Sequence, residues 1–395
     1  MKKKSVSLCV FIDAFGWDLM KTHPFLDDVL THKQPLDTIF GYSSTCDPTI
    51  LTGLLPREHG HFSFFAYAPE QSPFRRCLFI QLMRLVPKSL SSRGRVRNIA
   101  SRILRRRLGY TGYFNIYNMP FKLLPSFDYT EKKDLYQKGG INSGSDTIMD
   151  YARDNKLDFF LSDWKASETD NLNALTQSLT DPKRNVQFAY LYMASMDAIL
   201  HQWGTQASPV AEKIKWYEEQ LNTLLATAHE QYEEVRIHLF SDHGMTDIES
   251  TCDLMPYIEN TDLVFGKDYA AVYDSTMARF WYLKTHAEKI IKEALKSLDC
   301  GSFLSQETMN RYGIDFPNNR YGDDFYLLNP GVLLVPSHMG ERPLKGMHGY
   351  AIEHHASVAS YASNVQIEPK PKRLDDLYAI MKGEIDRCLK QEQSQ

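Results

Sequence analysis

Short apolar runs that stop abruptly at polar residues recur along the chain, at 6–12, 159–161, 188–193, 235–240 and 331–335. Helical patterns lie between them: 209–228, opened by a proline suited to a first helical turn, then 287–298 and a closing stretch at 374–389. Alternation of strand-length apolar runs with helices predicts an α/β fold with a largely parallel central sheet flanked by helices. In open sheets of that kind ligands gather beyond the carboxyl ends of the strands, so the polar residues just after each run are the ones to follow.

One segment departs from the alternation. Residues 73–110 hold eleven Lys or Arg and no Asp or Glu: Arg75, Arg76, Arg84, Lys88, Arg93, Arg95, Arg97, Arg102, Arg105, Arg106 and Arg107. Leu, Ile, Val and Phe are interleaved with them, and an aromatic-rich stretch with Gly and Pro follows at 110–129. We expect 62–150 to be an inserted basic and aromatic cap, dividing a core made of 1–61 and 151–395. The runs CLFIQLMRLV and VRNIASRILRRRLGY predict helices with Leu and Ile on one side and Arg on the other, suited to an anionic lipid surface, a nucleic acid or an acidic polymer. Weighed equally against that is a pair of ordinary cap helices that neutralise acidic surface elsewhere in the chain.

With 395 residues, 43% apolar and 12% aromatic, the chain suffices for one large core or a core plus a smaller inserted unit. The net charge of -4 gives no general attraction to nucleic acid or membrane, so no specific nucleic-acid partner is expected, and any anionic contact would be local to 73–110. Six scattered cysteines, Cys9, Cys46, Cys77, Cys252, Cys300 and Cys388, lack the spacing of a zinc ribbon or a disulfide scaffold. Reduced, mostly buried thiols are expected. Three lysines before an apolar run make the start similar to a signal peptide, but Asp13 interrupts the run and no small-residue cleavage site follows. With no apolar stretch of membrane-spanning length, a cytoplasmic protein, at most peripheral to the membrane, is the expectation.

Asp or His then follows the apolar runs in a telling order: Asp13 in FIDAFGWD, Asp197 and His201 in MASMDAILHQWG, Asp242 and His243 in LFSDHGM, and His348 in KGMHGY. Taken singly, an Asp after a strand is more often a helix cap than a ligand, and DHG alone reads as a turn. Together they are harder to dismiss. Imidazole nitrogens and carboxylate oxygens are the ligands zinc prefers, and six such side chains suffice for two ions. Asp197 and His201 stand four apart, so on a helix they share one face and can converge on one ion.

The order Asp, a hydroxyl before TGxxPxxHG, DxxxH, DHG and a late HG resembles the alkaline phosphatase superfamily, and within it the nucleotide pyrophosphatase/phosphodiesterase branch. The resemblance runs from Val6 to about Tyr350, although 62–185 contributes almost nothing to it. It implies an alkaline phosphatase-like fold and two divalent metal ions, zinc by preference, one held by Asp13, Asp242 and His243 and the other by Asp197, His201 and His348. It also implies a nucleophilic hydroxyl nine residues before the Thr of the TG pair. Counting back from Thr52 gives Ser43. Ser43, Ser44 and Thr45 stand in a row, however, and the proline that follows the nucleophile in the family is displaced to Pro48, so a slip of one or two residues would promote Ser44 or Thr45. These hydroxyls would also serve to cap a helix starting near Pro48, a role compatible with anion binding because both use the same free amides.

Sulfatases share this fold but carry a Cys-x-Pro-Ser-Arg motif that is missing here, since Cys46 is followed by Asp47, Pro48 and Thr49. DAFGWD, the DxxxHxxG run ending at Gly204 and the ARFWYL strand at 278–283 are similar to the phosphodiesterase branch. The expected reaction is hydrolysis of a phosphate ester, foremost a phosphodiester, through a covalent phospho-serine or phospho-threonine. Its substrate would be a small-molecule, lipid or glycan ester. Aromatic residues such as Phe62, Phe64, Phe65, Tyr67, Tyr110, Tyr113, Phe114 and Tyr117 would either wall the substrate or form the cap's own small core. Transfer of the phosphoryl group to a sugar or lipid hydroxyl, phosphomonoester hydrolysis, and a non-catalytic binding protein that keeps the fold are the competing readings.

Overall fold

The structure is a computed structural model and describes residues 2–393; the side chain of Lys88, one of the eleven cations, lies outside the described residues. Its central sheet has six strands in the order His32–Leu36, Ala359–Ser363, Tyr232–Phe240, Lys3–Ile12, Phe188–Met193, Phe159–Leu161. Lys3–Ile12 pairs in parallel with Tyr232–Phe240 on one side and Phe188–Met193 on the other, and Phe159–Leu161 extends that parallel run. Only Ala359–Ser363 runs antiparallel to its neighbours.

Alternation along the first strand explains why the sheet needs helices on both faces. Val6, Leu8, Val10 and Ile12 point into one core with Leu175 of Glu168–Thr180 and Tyr217, Leu221 and Leu224 of Ser208–Gln231. Cys9 and Phe11 point into another, with Ile50 of Ser43–Thr52, Met149 of Ile148–Asp154, and Met381 and Ile385 of Asp376–Gln393. Each face removes a row of branched and aromatic side chains from water, and a parallel sheet is stable only when both are covered. The helices expected at 209–228, 287–298 and 374–389 are present as Ser208–Gln231, Thr285–Leu295 and Asp376–Gln393.

The run at 331–335 does not join the central sheet. Its Val332–Leu334 pairs with Ser250–Cys252 outside it, because a short apolar run specifies a strand but not the strand it meets. Nor are all six cysteines reduced. Cys252 and Cys300 are joined in a disulfide with their Cα atoms 6.6 Å apart, while Cys9, Cys46, Cys77 and Cys388 are buried free thiols. Scattered spacing concealed that pair, whose members meet only through tertiary packing.

A second sheet, of antiparallel strands in the order Tyr269–Tyr273, Met277–Tyr282, Asp324–Leu328, Gly301–Phe303, lies beside the first. Ala270, Val272 and Trp281 of this sheet pack with Phe65, Phe74, Ile80, Leu104, Phe114 and Phe127. Much of the aromatic-rich stretch thus forms a core of its own against the second sheet, with Phe65–Tyr67 and Phe127–Tyr129 paired as a small hairpin-like ladder. Farther on, Leu135, Tyr136, Ile148 and Met149 pack with the central sheet.

Candidate functional site

Three adjacent parallel strands end at the same edge, and each delivers acidic or imidazole groups there. Asp13 follows Lys3–Ile12 directly, its amide donating to the Met193 carbonyl at 3.0 Å. Phe188–Met193 leads into the helix Ser195–Trp203, which carries Asp197 and His201 one turn apart. Asp242 and His243 come just after Tyr232–Phe240. His348 arrives from Gly346–Met347, a strand fragment paired with Thr246–Asp247 right behind the DHG turn. The turns must lie close for this to work, and glycine permits it: a Cβ on Gly16 would stand 2.4 Å from the Gly244 Cα.

The structure brings all six predicted side chains into one cluster, of which Asp197, His201 and His348 line the adjoining cavity. Ligand-capable atoms of Asp13, Asp242 and His243 lie within 4.8 Å of one another, and so do those of Asp197, His243 and His348. His243 stands in both groups. Its Nε2 is 3.0 Å from Asp242 Oδ2 and 3.8 Å from Asp13 Oδ1. His201 Nε2 is 3.2 Å and His348 Nε2 3.4 Å from Asp197 Oδ1, and the His243 and His348 rings stack with centroids 3.7 Å apart.

Hydrogen bonds from outside the cluster orient these groups. One oxygen of Asp13 accepts from Tyr192 Oη at 2.9 Å, and one oxygen of Asp242 accepts from the amides of Ala14 and His243 at 3.1 and 3.0 Å. His243 Nδ1 faces the Gly244 carbonyl at 2.9 Å, and His201 Nδ1 the Gly346 carbonyl at 2.8 Å. Each ring is thereby held with Nε2 toward the carboxylates. The remaining atoms, Asp13 Oδ1, Asp242 Oδ2 and Asp197 Oδ1, are buried and, beyond the imidazole nitrogens of the cluster, have no hydrogen-bond partner. None of these carboxylates pairs with Lys or Arg among the described residues.

The electrostatic consequences diverge across the cluster. Burial, then the neighbouring Asp242, Asp197 and Asp47, push the Asp13 carboxyl well above its usual range. Burial works against the charge on His243, yet Asp242 and Asp197 hold its pKa up. Burial and the adjacent His243 drive His348 well below the usual histidine value, leaving a neutral imidazole with a lone pair to offer.

The serine-rich bend resolves differently from the expected cap near Pro48. The helix begins at Ser43 and runs to Thr52, with Pro48 inside it. Thr45 Oγ1 and Ser44 Oγ both donate to the Phe62 carbonyl, at 2.8 and 2.9 Å. Ser43 Oγ instead faces His243 Nε2 at 3.2 Å. In TGxxPxxHG, Gly53 and Gly60 take left-handed turns and the buried His59 Nε2 meets Thr49 Oγ1 at 3.1 Å, so the motif braces the far end of this helix.

Sequence reasoning missed several groups here. Asp47 stands four residues after Ser43 on the same helix and lines the cavity, with one oxygen buried and unpartnered; that helical spacing was the available signal. Glu131, buried in the wall with one oxygen unpartnered, is pushed up to about 8 by burial. Asp274, also in the wall, accepts from the fully buried Arg279 at 2.6 Å, and Ser63 Oγ bridges them. The cavity measures about 520 Å³, and Phe64, Tyr113, Tyr117, Tyr136 and Trp164 supply much of its wall. The aromatic stretch is divided between two places, with Phe65 and Phe114 in its own small core and Phe64, Tyr113 and Tyr117 lining the cavity.

The fold is that of the alkaline phosphatase superfamily. Murine ectonucleotide pyrophosphatase/phosphodiesterase 5 superposes with a TM-score of 0.68 at 15% identity, over 98% of this chain and 95% of that one. The human counterpart gives 0.66 at 14% over the same shares, and an inactive threonine-to-alanine variant of the murine protein in complex with AMP gives 0.67 at 14%. No curated protein sequence matches the chain significantly. The family profile described as type I phosphodiesterase/nucleotide pyrophosphatase matches residues 8–351. The chain belongs to that family, whose members are phosphodiesterases and pyrophosphatases.

Proposed function

We propose that the chain is a two-metal phosphodiesterase in which Ser43 is the nucleophile. The observation that carries this reading is the meeting of buried carboxylate oxygens, faced only by the cluster's imidazole nitrogens, with the one hydroxyl of the serine-rich bend not committed to the Phe62 carbonyl. Oriented carboxylates beside neutral or carboxylate-paired imidazoles are a donor set that fits a pair of divalent ions, zinc foremost. Asp13, Asp242 and His243 would hold one ion, and Asp197, His201 and His348 the other, with His243 close enough to both groups to couple them. When bound, the ions would lower the pKa of the attacking hydroxyl and offset the charge of the phosphate.

The chain's own groups supply the rest. Ser43 Oγ loses its proton and attacks phosphorus, the bond to the leaving oxygen breaks with that oxygen taking up a proton from solvent, and a phospho-Ser43 ester forms; water then attacks phosphorus, breaks the bond to Ser43 Oγ, gives one proton back to it and leaves its oxygen on the released phosphate. Ser43 opens a ten-residue helix in which the Thr45 and Cys46 amides donate to the Tyr42 carbonyl, leaving the Ser43 and Ser44 amides to meet the phosphate oxygens. Phe64, Tyr113, Tyr117 and Trp164 offer faces for a base or another flat apolar group on the substrate. The AMP complex of the murine relative supports a nucleotide-type ester of that kind. The insertion, by the same reading, is a substrate-contacting cap.

The test pairs metal analysis with hydrolysis of bis-p-nitrophenyl and p-nitrophenyl phosphate by wild type, Ser43→Ala, Ser44→Ala and Thr45→Ala. Ser43→Ala is expected to lose turnover by about a thousandfold or more while keeping its metal. Ser44→Ala and Thr45→Ala should stay active, and the diester should be the better substrate. An active Ser43→Ala protein would overturn the nucleophile assignment, and a metal-free active wild type would overturn the whole reading.

A further inference from the structure

Large apolar side chains are exposed very unevenly. Of the eleven that stand most open to solvent among the described residues, six lie between positions 78 and 103: Leu78, Leu82, Leu85, Leu90, Ile99 and Ile103, with Leu85 82% exposed. Leu78, Leu82 and Leu85 recur at helical spacing on and just beyond the helix Leu78–Met83, whose other side buries Ile80. The helix Gly94–Leu108 buries Arg97, Ala100, Ser101 and Leu104, and its outward stripe carries Arg95, Ile99, Arg102, Ile103 and Arg106. Ile80, Ala100 and Leu104 share one core, so both helices turn their buried sides to the same interior and their apolar and basic stripes to solvent.

Only some of the cations of this segment are engaged by other groups of the chain. Arg75 pairs with Glu70, Arg84 bonds Gln81, and buried Arg97 donates to the Met119 carbonyl at 2.6 Å while lying 4.3 Å over the Phe121 ring. Arg76, Arg93, Arg95, Arg102, Arg105, Arg106 and Arg107 form no ion pair with a carboxylate among the described residues. Direct ion pairing with acidic surface elsewhere in the chain is thus absent for these seven arginines among the described residues.

Which partner takes both features follows from their chemistry. A nucleic acid would use the guanidinium groups but gain nothing from exposed leucine and isoleucine, and an apolar protein groove would strand the unpaired cations. An anionic bilayer accepts both, the aliphatic tips entering the acyl boundary while the guanidinium groups meet lipid phosphates. We propose that the outer faces of Leu78–Met83 and Gly94–Leu108 form a docking surface for a negatively charged membrane. No helix among the described residues is long and apolar enough to cross a membrane, so the contact is a peripheral one. It reaches the cavity through short links: Ser101 Oγ accepts from the Ile116 amide at 3.1 Å, and the neighbouring Tyr117 lines the cavity wall.

The test uses the full chain with vesicles of phosphatidylcholine alone and vesicles in which about a third of the lipid is phosphatidylserine. Wild type should co-sediment with the anionic vesicles and not the neutral ones, and should be released as salt rises from about 0.05 M to about 0.5 M. Two triple variants, Leu78→Ser with Leu82→Ser and Leu85→Ser, and Arg95→Gln with Arg102→Gln and Arg106→Gln, should each weaken binding at least about tenfold. All six positions are solvent-facing, so hydrolysis of soluble bis-p-nitrophenyl phosphate should not change; that readout separates failure of the surface from failure of the proposed enzyme. Equal binding to neutral vesicles, or no binding to either kind, would overturn the proposal. So would a leucine variant that binds anionic vesicles as wild type does, or tight single-stranded RNA binding without any vesicle binding.

Discussion

Two regions of this molecule keep charge that the fold does not neutralise, and they do so in opposite ways. At the carboxyl ends of the central strands, Asp13, Asp197 and Asp242 gather without a Lys or Arg partner, and Asp13 and Asp242 are nearly or fully buried. In the basic segment, Arg76, Arg93, Arg95, Arg102, Arg106 and Arg107 stand exposed to water without an ion-paired acid among the described residues. Unpaired charge costs far more in the interior than at the surface, because Coulomb energies there are screened much less. The buried acids consequently demand a compact counter-ion in a fixed geometry, whereas the exposed arginines tolerate a diffuse one. Under the two readings proposed above, uncompensated charge marks a binding site in both places, and its burial sets what kind of ligand fits.

The strongest challenge to that contrast is at the buried end. Asp242→Asn should reduce bound metal and lower diester hydrolysis by about a thousandfold or more, as read by metal analysis and turnover. Chelation should abolish activity and lower the melting temperature, with both restored by added metal, since an ion bound only by the native state stabilises it by mass action. In the chelated protein the sign reverses for Asp13→Asn: it should melt higher than chelated wild type, because the substitution removes one of several crowded like charges.

Glu131 gives the next effect, a few kcal/mol at most. Its folded pKa of about 8 lies above the 4.5 of an ordinary glutamate, so the native state keeps a proton that the unfolded chain releases. Stability should be highest below the unfolded value, fall as pH rises through that window, and reach its full loss above about 8. Glu131→Gln should erase the slope, its advantage in melting temperature growing steadily across the same range. A constant difference would show that the carboxyl does not titrate in the wall.

Smaller effects distinguish the packed from the open side of the helix Gly94–Leu108. Leu104→Ala should cost about 2–4 kcal/mol in denaturant unfolding, because the side chain is fully buried in the insertion's core. Arg97→Ala should cost about 1–3 kcal/mol, since it strands the Met119 carbonyl and uncovers Phe121. Arg102→Ala, on the open face, should stay within about 0.5 kcal/mol.

Legibility differed between the two regions for a physical reason. Asp13, Asp242 and His243 sit at or just beyond the ends of local apolar runs, and Asp197 and His201 stand one helical turn apart, so their placement follows from short-range pattern. Nothing local linked Glu131 to the cavity, or distinguished Ser43 from its neighbours, because the deciding contact is the Phe62 carbonyl from another segment. The pairing of Cys252 with Cys300 and the detour of 331–335 to Ser250–Cys252 were hidden likewise.

By itself the sequence determined the α/β alternation, the strand-end positions of the acidic and imidazole groups, and the acid-free basic stretch. All of these depend on residue order over a few turns or a single strand, where backbone geometry alone relates neighbours. Only the tertiary structure decided that His243 stands between two ligand groups, that Ser43 alone is left facing it, and that the leucines between 78 and 85 face water rather than a core. Such outcomes depend on which distant segments pack together, and no local period encodes that choice.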